Sequence, residues 1–224
     1  MEHQGKYVYC VIRGSEKRRF GNGFNGGIVY TIPYRDISAV VSDTPLIEYE
    51  PNEANALIHE EVVERVMQEH TVIPLGFGNV FIDENRLKWL MAKFYLTFKT
   101  YLKKLEGKVE VGVKVFYDLE VAKRELEAEY ATGENYYNKI NEKAYGYGVM
   151  VYEALRKCAE DARLMKRIGE NMIVNGAFLV KKEKIQVFKG ELEKLEKENA
   201  DRGLKFQFSG PWPPYNFARI HIGR

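Results

Sequence analysis

The sequence predicts an α+β protein of two domains: an N-terminal small antiparallel sheet with two helices over residues 1–107, and a C-terminal ferredoxin-like domain with extended inserted helices over residues 108–224. Three observations carry that prediction. The chain has 224 residues, more than a usual single domain and too few for three. Short apolar runs alternate with longer stretches whose apolar positions recur at helical spacing. From Val109 onward the runs follow the order β-α-β-β-α-β, with one additional helix after the first strand.

In the first half, residues 7–12, 27–32 and 37–41 read as strands of a small antiparallel sheet, with a basic, glycine-rich loop after the first. Over residues 51–70 the apolar Ala54, Ile58, Val62 and Val66 recur every fourth position, while Glu53, Glu60, Glu64 and Gln68 lie opposite. This predicts an amphipathic helix beginning at Pro51. After the connector VIPLGFGNVFI, Asp83 is placed to cap a second helix. Its core stripe is Leu87, Leu90, Met91, Phe94, Phe98, Tyr101, Leu102 and Leu105, and Gly107 ends it. Each such side chain contributes about 1.5–3 kcal/mol on burial, against about 1–2 kcal/mol of backbone entropy per ordered residue, so the helix needs a sheet beneath it.

In the second half, Val109, Val111, Val113 and Val115 alternate with polar or small residues, the period of a half-buried strand. Residues 119–131 and 137–168 read as helices, the second long enough to extend past a small sheet and to meet the other domain or a partner. Tyr145, Tyr147 and Tyr152 on it resemble a contact stripe, though core packing is the favoured account. Asn175-Gly176 suits a type I′ turn between strands 172–174 and 177–180. A helix over 183–199 and a strand over 204–208 complete the pattern.

Composition removes several function classes. Lys plus Arg number 34 against 32 Asp plus Glu, a net charge of +2 that creates no field favouring nucleic acid or an anionic membrane. Cys10 and Cys158 stand in no metal or redox spacing and are expected as buried thiols. No apolar run approaches the roughly 20 residues of a membrane span, and the N-terminus lacks a signal-peptide layout, so a cytoplasmic location is expected.

The candidate motifs for chemistry are thin. HEEVVE resembles the start of a zinc protease helix, yet Val63 stands four residues after His59 where a second histidine is required. His59 and His70 are about 16 Å apart along a helix, too far to share an ion, so His59 is expected at a buried edge or facing a partner. Gly21, Gly23 and Gly26 match GxGxxG, with Arg18 and Arg19 nearby, which gives an alternative function: a nucleotide- or small-molecule-binding enzyme using the loop 21–27. The following element reads as a strand instead of the helix that would receive a pyrophosphate, which favours a plain loop. No Ser-His-Asp or Cys-His set can be assembled. In PWPPY, three prolines force an extended path from the last strand at Gly210, expected to leave Trp212, Tyr215 and Phe217 beside that sheet or on a partner.

Taken in order, KYVYCVI, YRDISAVVSDTP, HEEVVERVM, VIPLGFGNVF, AFLV and LKFQFSGPWPPYNF resemble the gas vesicle protein L/F family over nearly the whole chain. The resemblance implies a minor or accessory, non-enzymatic protein that helps to build the gas-filled organelle that gives prokaryotes buoyancy. It implies partners in the gas vesicle shell protein and other accessory proteins, no cofactor and no metal. By position it implies a partner-binding or structural role for His59, Glu60, Pro74, Gly76, Phe77, Gly78, Phe81, Gly210, Pro211, Trp212, Pro213, Pro214, Tyr215 and Phe217.

Overall fold

The computed structural model describes residues 4–127, 134–218 and 220. The chain divides into two compact units, Met1–Lys108 with Trp212–Arg224, and Val109–Pro211. Strands and helices are mixed throughout both.

The first unit contains β1 (Gln4–Arg13), β2 (Arg19–Asn22), β3 (Ile28–Tyr34), β4 (Ile37–Pro45), α1 (Glu53–Glu69), β5 (Val72–Pro74), β6 (Val80–Phe81), α2 (Glu84–Lys93) and α3 (Tyr95–Leu105). Its sheet has the order β2-β3-β4-β1-β5, with β6 also pairing with β1. β1 is thus flanked on both sides, by β4 from Gln4↔Pro45 to Arg13↔Ile37 and by β5 and β6. That position explains why Tyr7 to Ile12 are all buried without alternation.

The helix α1 begins one turn's fraction later than proline placement suggests. Asn52 is the cap, its side-chain oxygen accepting from the Asn55 amide at 2.9 Å, and Pro51 precedes it. The buried residues are His59, Val62, Val63 and Val66, whereas Ala54 is exposed. A strict four-residue stripe drifts around a helix of 3.6 residues per turn, and the spacing i, i+3, i+4, i+7 replaces it. Val62, Val63 and Val66 pack with Tyr7, Tyr9, Val29 and Val40 of the sheet. The second predicted helix is two, broken at Phe94, where φ −103° and ψ 15° depart from helical values. Asp83 caps α2 by accepting from the Arg86 amide at 2.7 Å.

The second unit contains β7 (Lys108–Tyr117), α4 (Leu119–Glu127), α5 (Glu134–Arg156), β8 (Asp161–Leu164), β9 (Met172–Lys181), α6 (Ile185–Glu198) and β10 (Leu204–Trp212). Its sheet runs β10-β7-β9-β8. Val111, Val113, Val115, Phe178 and Val180 join Val151, Leu155, Phe188 and Leu192 from the helices in one core.

Three sequence expectations are corrected in this unit. Asn175-Gly176 lies inside β9, and the hairpin joins β8 to β9 with Leu164 paired to Gly176. Glycine is needed there for packing, since a Cβ would meet the Phe178 ring at 2.6 Å. The long helix stops at Arg156 and the stretch 161–164 is the edge strand β8. At 23 residues, α5 is about 34 Å long, close to the span of a ten-residue strand, so its length no longer requires it to extend past the sheet. The junction 128–133 between α4 and α5, which that expectation also covered, lies outside the described residues. Lastly, β10 continues through Gly210 and Pro211 to Trp212, a course open to proline because β10 is an edge strand.

The tail is the largest revision. The sequence assigns residues 212–224 to the second domain, whereas the structure groups them with the first unit. Proline pattern dictates the local path of a segment and carries no information about which surface receives it.

Candidate functional site

Strand alternation places Tyr7 and Tyr9 on the same face of β1, the face that α1 covers. His59, 2% exposed on the inner side of α1, meets them there. Its Nδ1 lies 3.0 Å from the Tyr7 hydroxyl and its Nε2 lies 3.0 Å from the Leu75 carbonyl oxygen. A carbonyl only accepts, so Nε2 carries the proton and Nδ1 accepts from Tyr7. The Tyr7 oxygen in turn accepts from the Gly78 amide at 3.0 Å. One continuous relay therefore ties α1, β1 and the connector 75–79 together.

Other bonds hold the same connector. The Leu75 amide donates to the Tyr9 carbonyl at 3.0 Å, the Val8 amide donates to the Asn79 carbonyl at 2.9 Å, and the Asn79 side-chain amide donates to the Gly76 carbonyl at 2.6 Å. Around them the rings of Tyr7, Phe24, Tyr49 and Phe77 form a cluster, with Tyr7 to Phe24 at 4.6 Å and Phe24 to Tyr49 at 4.4 Å between centroids. Burial pushes the His59 imidazole down to about 4, against the opposing hydrogen bond to Leu75, and it keeps the Tyr7 phenol protonated. The site is an uncharged lock at neutral pH. Its hydroxyl–imidazole pair, Tyr7 and His59, is buried, and the imidazole is spent on two internal bonds.

The structure brings several of the expected residues to this lock and scatters the rest. His59, Gly76, Phe77 and Gly78 belong to it, and Pro74 ends β5 opposite Cys10. Tyr215 arrives from the tail, its ring 6.4 Å from His59, with its hydroxyl buried and without a hydrogen-bond partner. Phe217 is fully buried, with the Lys104 ammonium 6.0 Å from its ring centre, and Pro213 and Pro214 are buried. Trp212 is 41% exposed, Glu60 is exposed, and Phe81 pairs with Lys6 at the end of the sheet. Gly210 and Pro211 lie on β10 in the second unit. Sequence reasoning missed Tyr7, Tyr9, Phe24 and Tyr49. The available signal was the pair of tyrosines two residues apart in KYVYCVI, which strand alternation places on one face.

The glycine-rich loop has a different occupation from phosphate binding. The Gly23 amide donates to Gly27, the Phe24 amide to the Tyr9 hydroxyl at 3.2 Å, the Gly26 amide to Gly23, and the Gly27 amide to Phe24. These four donors serve the β2–β3 connection itself, and a strand follows where a dinucleotide site needs a helix. Gly23 is required because a Cβ there would stand 2.1 Å from the Tyr9 oxygen. Among the described residues no group of three or more His, Cys, Asp or Glu is gathered as for a metal ion, and no helix is long and apolar enough to cross a membrane.

Exposed apolar side chains are more prominent than any polar pocket. On the first unit Leu96 is 77% exposed and Trp89 is 51% exposed, with the Arg86 guanidinium 4.6 Å and the Lys93 ammonium 5.2 Å from its ring. On α5 the exposed Tyr145 and Val149 share one face by their i, i+4 spacing. Tyr147 and Tyr152 pack against the core, which separates them from Tyr145.

The fold is mixed α+β, its first unit holds a buried hydrogen-bonded relay, and apolar side chains stand exposed at the surface. Residues 5–219 match the sequence profile of the family described as gas vesicle synthesis protein GvpL/GvpF, and the chain belongs to that family. It is 31% identical to gas vesicle protein F1 of Halobacterium salinarum and 29% identical to gas vesicle protein F of Haloferax mediterranei, each alignment covering 97% of this chain and 94% of the relative. Its fold is similar to the crystal structure of the gas vesicle protein GvpF from Anabaena, with a TM-score of 0.87 at 21% identity over 99% of this chain and 98% of that one.

Proposed function

We propose that this protein is a non-catalytic accessory factor that binds gas vesicle shell subunits and other accessory proteins, and so supports nucleation and growth of the vesicle wall in the cytoplasm. The observation that carries the reading is family membership along almost the whole chain. The surface supports it: Trp89, Leu96, Tyr145, Val149 and Trp212 leave apolar and aromatic area exposed to solvent. A strongly apolar shell subunit gains from burying its surface against such side chains, at roughly 25 cal/mol per Å² removed from water. The lock around His59 has the supporting role of fixing the connector 74–81, and Trp212, held by the buried prolines beside it, has the partner-facing role.

We further infer that the two units are separate domains and that the second is ferredoxin-like. The order β10-β7-β9-β8, with α4 and α5 after the first strand and α6 before the last, supports this.

The assembly role is tested by complementation. In a vesicle-forming host lacking the corresponding gene, the wild-type chain is expected to restore vesicles seen by electron microscopy. The pair Tyr145→Glu and Val149→Glu is expected to accumulate as folded protein with few or no vesicles. Vesicle numbers equal to wild type in that pair remove α5 from the reading.

A further inference from the structure

The ion pairs of the first unit are unevenly placed. Asp36, Asp43, Glu16, Glu69, Glu84 and Glu106 each meet a lysine or arginine. Among the described residues, the carboxylates of Glu48, Glu50, Glu53, Glu60, Glu61 and Glu64 have no such partner, and they fall together on the segment leading into α1 and on α1 itself. The cation next in sequence, Arg65, is turned away from them and donates to the Phe20 and Asn22 carbonyls at 2.6 and 3.1 Å. Crowding is felt within the group, since burial and the neighbouring Glu60 and Glu61 push the Glu64 carboxyl up. Set among these charges are three exposed apolar side chains, Leu46, Ile47 and Leu57, each 44–50% exposed. Repulsion of this kind costs stability in the isolated molecule, and it is relieved by a basic surface carrying apolar contacts of its own.

Such a surface exists on the same unit. A groove of about 530 Å³ is lined by the side chains of Ile28, Tyr30 and Ile32, by the cations Lys17, Arg18 and Arg19, and by the carboxylates of Asp43 and Glu84, which are already paired with Lys6 and Lys88. Lys17 and Arg19 are exposed, and no ion pair is formed by either among the described residues. The two surfaces lie on opposite sides of one sheet. Val29 packs with the face that α1 covers, and its neighbour Tyr30 points to the other face, where it bonds Lys6 and Asp43. Within one molecule Arg18 meets Glu69 at the C-terminal end of α1, at 3.6 Å, while Lys17 and Arg19 form no ion pair with the carboxylates from Glu48 to Glu64.

We propose that copies of this chain associate head to tail, the acidic, apolar-studded face of α1 in one copy docking into the basic-rimmed β2–β3 groove of the next. The occupant is a second copy because the complementary surface, convex helix against concave groove and carboxylates against Lys17 and Arg19, is carried by the chain itself. The contact is heterologous, so each copy has a free acidic face or a free groove at the end of a row and the association continues until it closes or is capped. The inference is independent of shell-subunit binding.

Sedimentation velocity of the full chain tests it. At low salt the average mass is expected to rise with concentration to at least twice that of the monomer, and to return to the monomer at high salt. Glu60→Lys with Glu61→Lys, and separately Lys17→Glu with Arg19→Glu, are each expected to weaken association by at least about tenfold. Mixing the two charge-reversed chains is expected to restore it, because each then offers the other a matched pair of surfaces. Circular dichroism melts check that the variants fold; should a reversed pair not fold, Glu60→Gln with Glu61→Gln carries the same comparison. A chain that stays monomeric at every salt and concentration overturns the proposal. So does association that neither pair weakens, or that mixing fails to restore.

Discussion

His59 is a histidine whose two ring nitrogens are both committed, one to the Tyr7 hydroxyl and one to the Leu75 carbonyl. Its folded-state pKa of about 4 lies below the ordinary value of 6.5. The unfolded chain therefore binds the extra proton more readily, and stability falls as pH drops from about 6.5 towards 4, by roughly 3 kcal/mol once both states are protonated. Above that window the contribution is fully present. Urea unfolding measured between pH 7 and pH 4 is expected to lose this amount in the wild-type chain. His59→Gln is expected to be less stable at pH 7 and to lack that part of the pH slope, and an unchanged slope in the variant would remove His59 as its source. The sequence excluded His59 as a zinc ligand from spacing alone. Its real partners were not legible, because Tyr7 is 52 residues away and Leu75 contributes only a backbone oxygen.

At the scale of elements, what is local was readable and what is long-range was not. The two-residue alternation found β7, and the Asp83 cap found the start of α2. Asn175-Gly176 misled because a dipeptide's turn preference is weaker than the demand of the Phe178 ring for an empty position in β9. The tail misled because its aromatics have no periodicity that names a receiving surface. Its residues now separate by burial: Phe217 is fully buried and Trp212 is 41% exposed. Phe217→Ala is expected to cost about 3–5 kcal/mol of stability by thermal or chemical melting, as a large core side chain does. Trp212→Ala is expected to change stability by less than about 1 kcal/mol, the range of surface substitutions. Equal costs for the two would mean that the tail seals the unit along its whole length and leaves Trp212 nothing to offer a partner.

Across the whole molecule, the family and the mixed α+β class were legible from several separated motifs in fixed order, whereas the site was legible only as a set of positions. Eight of those positions meet at or beside the His59 relay or in the buried part of the tail: His59, Gly76, Phe77, Gly78, Pro213, Pro214, Tyr215 and Phe217. Surface chemistry is carried elsewhere, by exposed apolar side chains on α2, α3 and α5 and by Trp212. An assembly factor needs this division, since a rigid interior holds the contact side chains in place and limits the entropy lost when a partner is bound. The most direct test of the account is co-expression of this chain with the gas vesicle shell protein, followed by affinity purification and size exclusion. The two are expected to elute together, with Trp89→Glu and Leu96→Glu together reducing the shell protein recovered. A shell protein that never co-elutes with the folded wild-type chain, in any order of expression or mixing, would contradict it.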